Sequence, residues 1–227
     1  MIGYAKKIVP CLAAVLVCFA AGISFGGGDV PASGDLSAPG NLTLFVIDSE
    51  KTLLVYENTK LIASFPCETG YGGMGKTREG DGKTPVGEYR IAWMASVEVN
   101  RGHTDKGNPV IAGMTWCDET GLVYGPEGRT EERLWTDAYG GENATIMGLD
   151  YPNALDLARG YTGDCIEIHG SNRLVDGKLT PSAGCVKLMP GDAVDLYHLV
   201  DTGTPVVIAV SRDTLYGAYP FLVEGHP

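Results

Sequence analysis

IEIHG at 166–170 and PSAGCVKLM at 181–189 are the two stretches that decide how this 227-residue chain is interpreted. In the first, Ile166 and Ile168 alternate with polar residues, and this period of two predicts a half-buried β-strand. His169 then lies on the face opposite the two isoleucines, immediately before the glycine that ends the strand. The first stretch therefore predicts an imidazole held at a strand end.

The second stretch places Cys185 in a tight turn of small residues, SAGC at 182–185. Such a turn can aim backbone N–H groups at a developing oxyanion, so we expect the N–H groups of Gly184 and Cys185 to form an oxyanion hole. A thiol reacts as its thiolate, and a nearby histidine can take the proton. Cys185 is the predicted nucleophile and His169 the predicted base. On residue types alone, a buried structural cysteine near an unrelated histidine is an equally good interpretation.

The His-Gly pair followed by Ser-x-Gly-Cys-Val-Lys-Leu-Met closely resembles the catalytic signature of the L,D-transpeptidase (YkuD) family. Three further stretches, Leu42–Gly70, Lys76–Ile91 and Leu149–Gly163, are similar to the same family, so the likeness covers about 42–210. The resemblance implies a YkuD-like β-fold and a peptidoglycan L,D-transpeptidase. In that reaction a cysteine forms a thioester with the stem peptide, releases D-Ala and transfers the acyl group to an amine acceptor.

Two other functions stay open. A hydrolase on the same scaffold would be an L,D-carboxypeptidase, or an amidase acting on a wall-linked lipoprotein, and Arg78–Tyr89 resembles the subgroup in which such cleavage occurs. A non-catalytic wall-binding module would keep the fold but would not need Cys185. The expected partners are peptidoglycan stem peptides and, for the amidase, a wall-linked lipoprotein.

The chain departs from the family pattern at two positions. Many members carry histidine where this chain has Ala183, which leaves His169 as the single local candidate base. Many also carry arginine where this chain has Lys187, which keeps the positive charge but loses the bidentate fork of a guanidinium. If a thiolate–imidazolium pair is the reactive form, activity should rise as the thiol ionises and fall as the imidazolium loses its proton.

We expect substrate contacts close to the catalytic pair. Lys187 and Arg173 are predicted to bind a carboxylate of the stem peptide, and Ser182 and Gly170 are predicted to line the same site. The resemblance implies a backbone carbonyl that orients the imidazole. Glu167, two residues from the histidine on the same strand face, is the weaker candidate for that role.

The composition predicts a β-rich globular domain. Thirty-two glycines and thirteen prolines favour many turns over a helical bundle, and 42–47, 52–56 and 61–65 are predicted as an antiparallel meander. We expect a mostly β fold, an antiparallel sandwich or partly closed barrel with a short helix after the nucleophile turn, its N-cap at Asp192. With 17 basic and 28 acidic residues the net charge is −11, which excludes nucleic acid as a partner.

The chain divides into four parts. Residues 1–25 carry two lysines, an apolar run and then small residues, which predicts a signal peptide or an uncleaved anchor and therefore export to the periplasm or cell envelope. The Gly-, Pro- and Ser-rich residues 26–40 are predicted as a flexible linker. The catalytic domain is predicted at 41–210, with an insertion at 98–133 over the cleft, and a C-terminal tail at 211–227.

No cofactor or metal is expected. The stretch GYGGMGKT at 70–77 fits the Walker A pattern, but two glycines and a proline soon follow and disfavour the helix that the motif requires, so we expect no nucleotide. The metal-binding patterns His-Glu-x-x-His and Cys-x-x-Cys do not occur in the sequence. After removal of the signal, a single disulfide among Cys67, Cys117 and Cys165 is possible, as are three buried thiols.

Overall fold

A computed structural model describes residues 41–96, 139–140 and 144–222. The predicted signal (1–25), the linker (26–40) and the insertion (98–133) lie outside the described residues. The strands are β1 (Leu42–Ile47), β2 (Thr52–Glu57), β3 (Lys60–Glu68), β4 (Gly87–Ser96), β5 (Thr145–Leu149), β6 (Glu167–Gly170), β7 (Leu174–Val175), β8 (Lys178–Leu179), β9 (Val186–Leu188) and β10 (Pro205–Ala209). The α-helices are α1 (Ala154–Ala158) and α2 (Pro190–Leu199), and short 3-10 helices lie at Asp48–Glu50, Arg212–Thr214 and Pro220–Leu222.

Eight strands close into a barrel in the order β1-β10-β4-β5-β6-β9-β3-β2, and β7 and β8 form a separate hairpin. Only the pairs β1–β10 and β6–β9 are parallel among these strands. The predicted meander of β1, β2 and β3 is confirmed, and so is the mostly β fold. The barrel is fully closed, whereas the sequence predicted a sandwich or a partly closed barrel.

Hydrophobic side chains pack in two clusters. The larger one joins inward-facing residues of the barrel strands with one face of α2, including Ala193 and Leu196. The smaller one, which includes Phe45 and Tyr56, is completed by Leu215, Tyr219 and Leu222 from beyond β10. The described part of the C-terminal tail therefore packs on the barrel, and the folded unit extends past residue 210.

The helix after the nucleophile turn begins one turn earlier than predicted. Its N-cap is Met189 and Pro190 occupies the first helical position, where a missing N–H costs nothing. Asp192 was predicted as the N-cap and lies instead inside the first turn, where a negative charge interacts favourably with the helix dipole. Among the described residues no helix is long and apolar enough to span a membrane.

The glycine-rich stretch at 70–84 folds as a compact loop. No helix follows Lys76 and Thr77, and the chain runs on to β4 at Gly87. The Lys76 ammonium is buried and forms an ion pair with Asp81 at 3.1 Å. The geometry that a phosphate-binding loop needs is therefore missing, and the lysine of the Walker-like pattern has a partner within the protein.

The parallel pairing of β6 with β9 assembles the candidate site. His169 on β6 is in register with Lys187 on β9, and Ile168 is in register with Val186. Cys185 directly precedes Val186, so the parallel register brings it beside Glu167 at the start of β6. All four residues of β6 are buried, whereas the alternating pattern predicted a strand with one exposed face.

Candidate active site

Cys185 lies close to two titratable side chains. Its Sγ, a ring nitrogen of His169 and a carboxylate oxygen of Glu167 all lie within 4.8 Å of one another. Cys185 is half-buried, and its Sγ donates a hydrogen bond to the backbone carbonyl of Cys165 at 3.3 Å. A thiol that donates to a carbonyl carries its proton, so this conformation corresponds to the protonated thiol of the predicted nucleophile.

His169 is held in a defined orientation. Its Nδ1 lies 2.7 Å from the backbone oxygen of Gly170, and because a carbonyl can only accept, Nδ1 carries the hydrogen. In the neutral ring Nε2 is then the basic atom. The Tyr139 ring packs edge-on against the imidazole at a centroid distance of 4.9 Å. The carbonyl expected to orient the imidazole is thus that of Gly170, and Glu167 is not the partner of Nδ1.

The surroundings of His169 favour the neutral form of its ring. Burial lowers the pKa of His169 to about 4. The hydrogen bond to Gly170 opposes this shift, whereas the nearby positive charges of Lys187 and Arg173 add to it. The His169 side chain is 6% exposed. The low pKa of the buried ring disfavours the preformed thiolate–imidazolium pair considered from the sequence. It favours transfer of the proton from the thiol to the imidazole at the moment of attack.

The nucleophile turn is held by hydrogen bonds of the Ser182 hydroxyl. This hydroxyl accepts from the N–H of Gly184 at 2.9 Å and donates to the carbonyl of Cys185 at 2.6 Å. The N–H of Gly184, predicted as an oxyanion donor, is therefore occupied in this conformation. Ser182 is buried and organises the turn, and its predicted place in the lining of the substrate site stays a prediction.

The two predicted cations differ in their surroundings. The Lys187 ammonium is buried and donates to the carbonyls of Thr180 and Pro181 at 2.9 and 3.3 Å, and also to the Thr180 hydroxyl. Burial and then the charge of Arg173 lower the pKa of Lys187. Arg173 is exposed, in the loop between β6 and β7. Its position suits a contact with a substrate carboxylate better than that of Lys187, and both assignments stay predictions.

Gly170 is required for packing. A Cβ at this position would lie 2.8 Å from the backbone oxygen of Tyr139, closer than side chains tolerate. Its carbonyl is the group that orients His169. Gly170 therefore serves the histidine directly, and the predicted contact with substrate stays a prediction.

The cysteines of the described residues are thiols. Cys67, Cys165 and Cys185 form no disulfide, and Cys117 lies outside the described residues. Burial raises the pKa of Cys67 to about 12, which makes it unreactive. Within the described residues one group of side chains could hold a metal ion, and it consists of Glu167 with the catalytic pair. A bound ion would occupy the same atoms that the nucleophile and base need.

Sequence reasoning missed contacts made through the backbone and through distant loops. The Cys165 carbonyl that accepts from the nucleophile has no side-chain signal, and Tyr139 lies far from the motif in sequence. The loop at 70–84 contacts the nucleophile turn through Tyr71, whose N–H donates to the carbonyl of Ser182 at 2.8 Å. The similarity of this loop to the family is the sequence signal that could have placed the loop beside the site.

The fold and the site define a β-barrel domain in which a histidine on β6 lies close to a cysteine directly before β9. The sequence model of the L,D-transpeptidase catalytic domain family (YkuD) matches residues 42–208 of this chain. The chain belongs to this family. No curated protein is significantly similar to it in sequence.

Several solved structures are similar to this chain at low sequence identity. Bd1075 of Bdellovibrio bacteriovorus is 19% identical, with 82% of this chain and 55% of that chain covered and a TM-score of 0.50. Pgp2 of Campylobacter jejuni, a helical cell shape determining protein, is 24% identical over 76% of this chain and 49% of its own, with a TM-score of 0.46. An L,D-transpeptidase of Enterococcus faecium is 15% identical over 74% and 50%, with a TM-score of 0.42. The chain spans about half the length of these structures.

Proposed function

We propose that this protein is a peptidoglycan L,D-transpeptidase that uses Cys185 as its nucleophile. The observation that carries the proposal is the pairing of Cys185 with a histidine whose Nδ1 donates to Gly170, which leaves Nε2 free of hydrogen. Membership of the L,D-transpeptidase catalytic-domain family points to the stem peptide of peptidoglycan as substrate.

In the first half-reaction His169 Nε2 takes the proton from the Cys185 thiol. Sγ then attacks the carbonyl carbon that joins the third residue of the stem to the terminal D-Ala. The tetrahedral oxyanion accepts a hydrogen bond from the N–H of Cys185. When the C–N bond breaks, the proton on Nε2 passes to the leaving amine, and a thioester and free D-Ala result.

In the second half-reaction an amine acceptor attacks the thioester carbonyl. His169 takes a proton from that amine, the C–S bond breaks and the proton returns to Cys185. The products are a new amide bond and the resting thiol. Water in place of the amine gives a carboxylic acid, which is the hydrolytic alternative.

Arg173 is the residue we propose for binding a stem-peptide carboxylate. It is exposed and near enough to the site for its charge to act on both His169 and Lys187. A positive group at the site also helps an acidic protein to attract an anionic donor.

The predicted signal at 1–25 supports export, so we place the reaction in the periplasm or cell envelope. A fusion of residues 1–40 to a reporter that is active only outside the cytoplasm tests this. We expect activity with the intact segment and none when Lys6 and Lys7 are replaced and the apolar run is interrupted.

Incubation of the purified protein with tetrapeptide muropeptides tests the reaction. Mass spectrometry should detect cross-linked dimers with loss of D-Ala, and Cys185→Ala should give none. Tripeptides without dimers would indicate a carboxypeptidase, and release of a peptide-linked lipoprotein would indicate an amidase. Unchanged muropeptides with the parent protein would contradict a catalytic role on this substrate.

A further inference from the structure

Besides the Tyr71 contact, the glycine-rich loop at 70–84 contacts the nucleophile turn through a buried hydroxyl. Thr84 Oγ1 accepts a hydrogen bond from the N–H of Gly70 at 2.8 Å and donates to the carbonyl of Gly184 at 2.8 Å. Thr84 is 0% exposed, so water does not compete for either bond. The residue is 100 positions away from the turn that it contacts.

The direction of this bond matters because of the peptide that it holds. The carbonyl of Gly184 and the N–H of Cys185 belong to one peptide unit. The only cis bond among the described residues is Tyr151–Pro152, so this peptide is trans and its oxygen and hydrogen point to opposite sides. The Thr84 hydroxyl therefore directs the Cys185 N–H away from the loop.

The N–H of Cys185 is the backbone donor proposed above for the oxyanion. The N–H of Gly184 is occupied by the Ser182 hydroxyl, as described above. We infer that Thr84 is a positioning residue of the oxyanion site, which aims the Cys185 N–H by holding the Gly184 carbonyl. The inference rests on the proposed role of Cys185 as nucleophile.

The loop that carries Thr84 is built to be rigid. Asp81 accepts from the N–H groups of Thr77, Arg78 and Lys83 and from the Lys76 ammonium. Burial alone would raise the pKa of Asp81, but these donors outweigh it and hold the pKa well below its usual range.

Backbone packing fixes the loop against the turn. A Cβ at Gly70 would lie 2.3 Å from the oxygen of Gly82, and a Cβ at Gly184 would lie 2.8 Å from the oxygen of Lys83. Gly184 also has a φ of +144°, which L side chains rarely adopt. Gly70, the first glycine of the Walker-like stretch, is thus needed for close approach of two backbone segments within the loop, and Gly184 is needed for close approach of the loop to the nucleophile turn.

Comparing two reactions of the same thiol tests the inference. Acylation by a carbapenem passes through an oxyanion, whereas alkylation by iodoacetamide displaces iodide and needs only the thiolate. Thr84→Val keeps the shape but removes both hydrogen bonds. We expect its acylation rate to fall roughly 10- to 100-fold, since losing an oxyanion donor outright costs about 10²–10³. Its alkylation rate at the same pH should stay near that of the parent, and Thr84→Ser should restore acylation.

The outcomes separate this inference from the proposed function. Equal acylation rates for Thr84→Val and the parent, or an equal fall in both reactions, would overturn the role of Thr84. Acylation that persists in Cys185→Ala would overturn the proposed nucleophile instead. If Thr84→Val does not fold, Thr84→Ala, which also removes both hydrogen bonds, takes its place, and an acylation rate equal to the parent again overturns the inference.

Discussion

His169 combines burial with a single hydrogen bond to a backbone carbonyl, and this combination sets its charge. In the unfolded chain the ring has its ordinary pKa of 6.5, whereas burial lowers the folded value to about 4. Between these values the unfolded chain binds a proton that the folded chain does not, so acid favours unfolding. The stability contributed by the neutral ring is fully present above pH 6.5 and is lost as the pH falls toward 4.

A comparison with His169→Gln isolates this effect, because the amide does not titrate. We expect the difference in unfolding free energy between parent and variant to shift against the parent by up to about 3 kcal/mol on acidification. Urea unfolding of both proteins from neutral pH to about pH 4 measures it. A difference that stays constant across this range would mean that the folded ring titrates normally.

Lys187 and Arg173 should separate stability from substrate binding. Lys187→Met leaves the carbonyls of Thr180 and Pro181 without their donor, so we expect a loss of about 1–3 kcal/mol in stability with KM changed less than about twofold. Arg173→Gln should raise KM for a tetrapeptide donor roughly tenfold, because a charge-assisted bond to a carboxylate is lost. Steady-state kinetics and urea unfolding check both. A raised KM in Lys187→Met at full stability would return that lysine to the substrate site.

At the scale of an element, the loop at 70–84 depends on Asp81. Asp81→Asn removes the partner of a buried lysine whose side chain is 5% exposed, and we expect a loss of roughly 3 kcal/mol. Glu79→Gln, in the exposed part of the same loop, is the matched control and should change stability by less than about 0.5 kcal/mol. Thermal unfolding of the two variants provides the comparison. Equal melting temperatures would show that the ion pair does not hold the loop.

At the scale of the whole molecule, the residues after β10 complete the second hydrophobic cluster. Leu222 is fully buried, and Leu222→Ala should cost about 2–5 kcal/mol. Val210 is 47% exposed, and Val210→Ala should stay within about 0.5 kcal/mol of the parent. Urea unfolding measures both, and equal stabilities would mean that the tail is not part of the folded unit.

The features that could be predicted are those written in local patterns. Apolar runs with turn residues between them predicted β1, β2 and β3, and a short motif brought His169 and Cys185 together because β6 and β9 are neighbours in the barrel. The features that could not be predicted depend on hydrogen bonds and burial in the folded chain. Nothing local to Lys187 or Ser182 indicates that their polar atoms bind backbone groups, and nothing near Thr84 or Leu222 indicates what they touch, since their partners lie far away in sequence.

The central claim is that Cys185 becomes acylated by the stem peptide with help from His169. Intact-protein mass spectrometry after brief exposure to a tetrapeptide donor, followed by peptide mapping, tests it most directly. We expect an adduct equal to the donor minus D-Ala on Cys185, no adduct in Cys185→Ala, and much slower formation in His169→Ala at neutral pH. An adduct on another residue, or one that forms equally fast without the imidazole, would contradict the account.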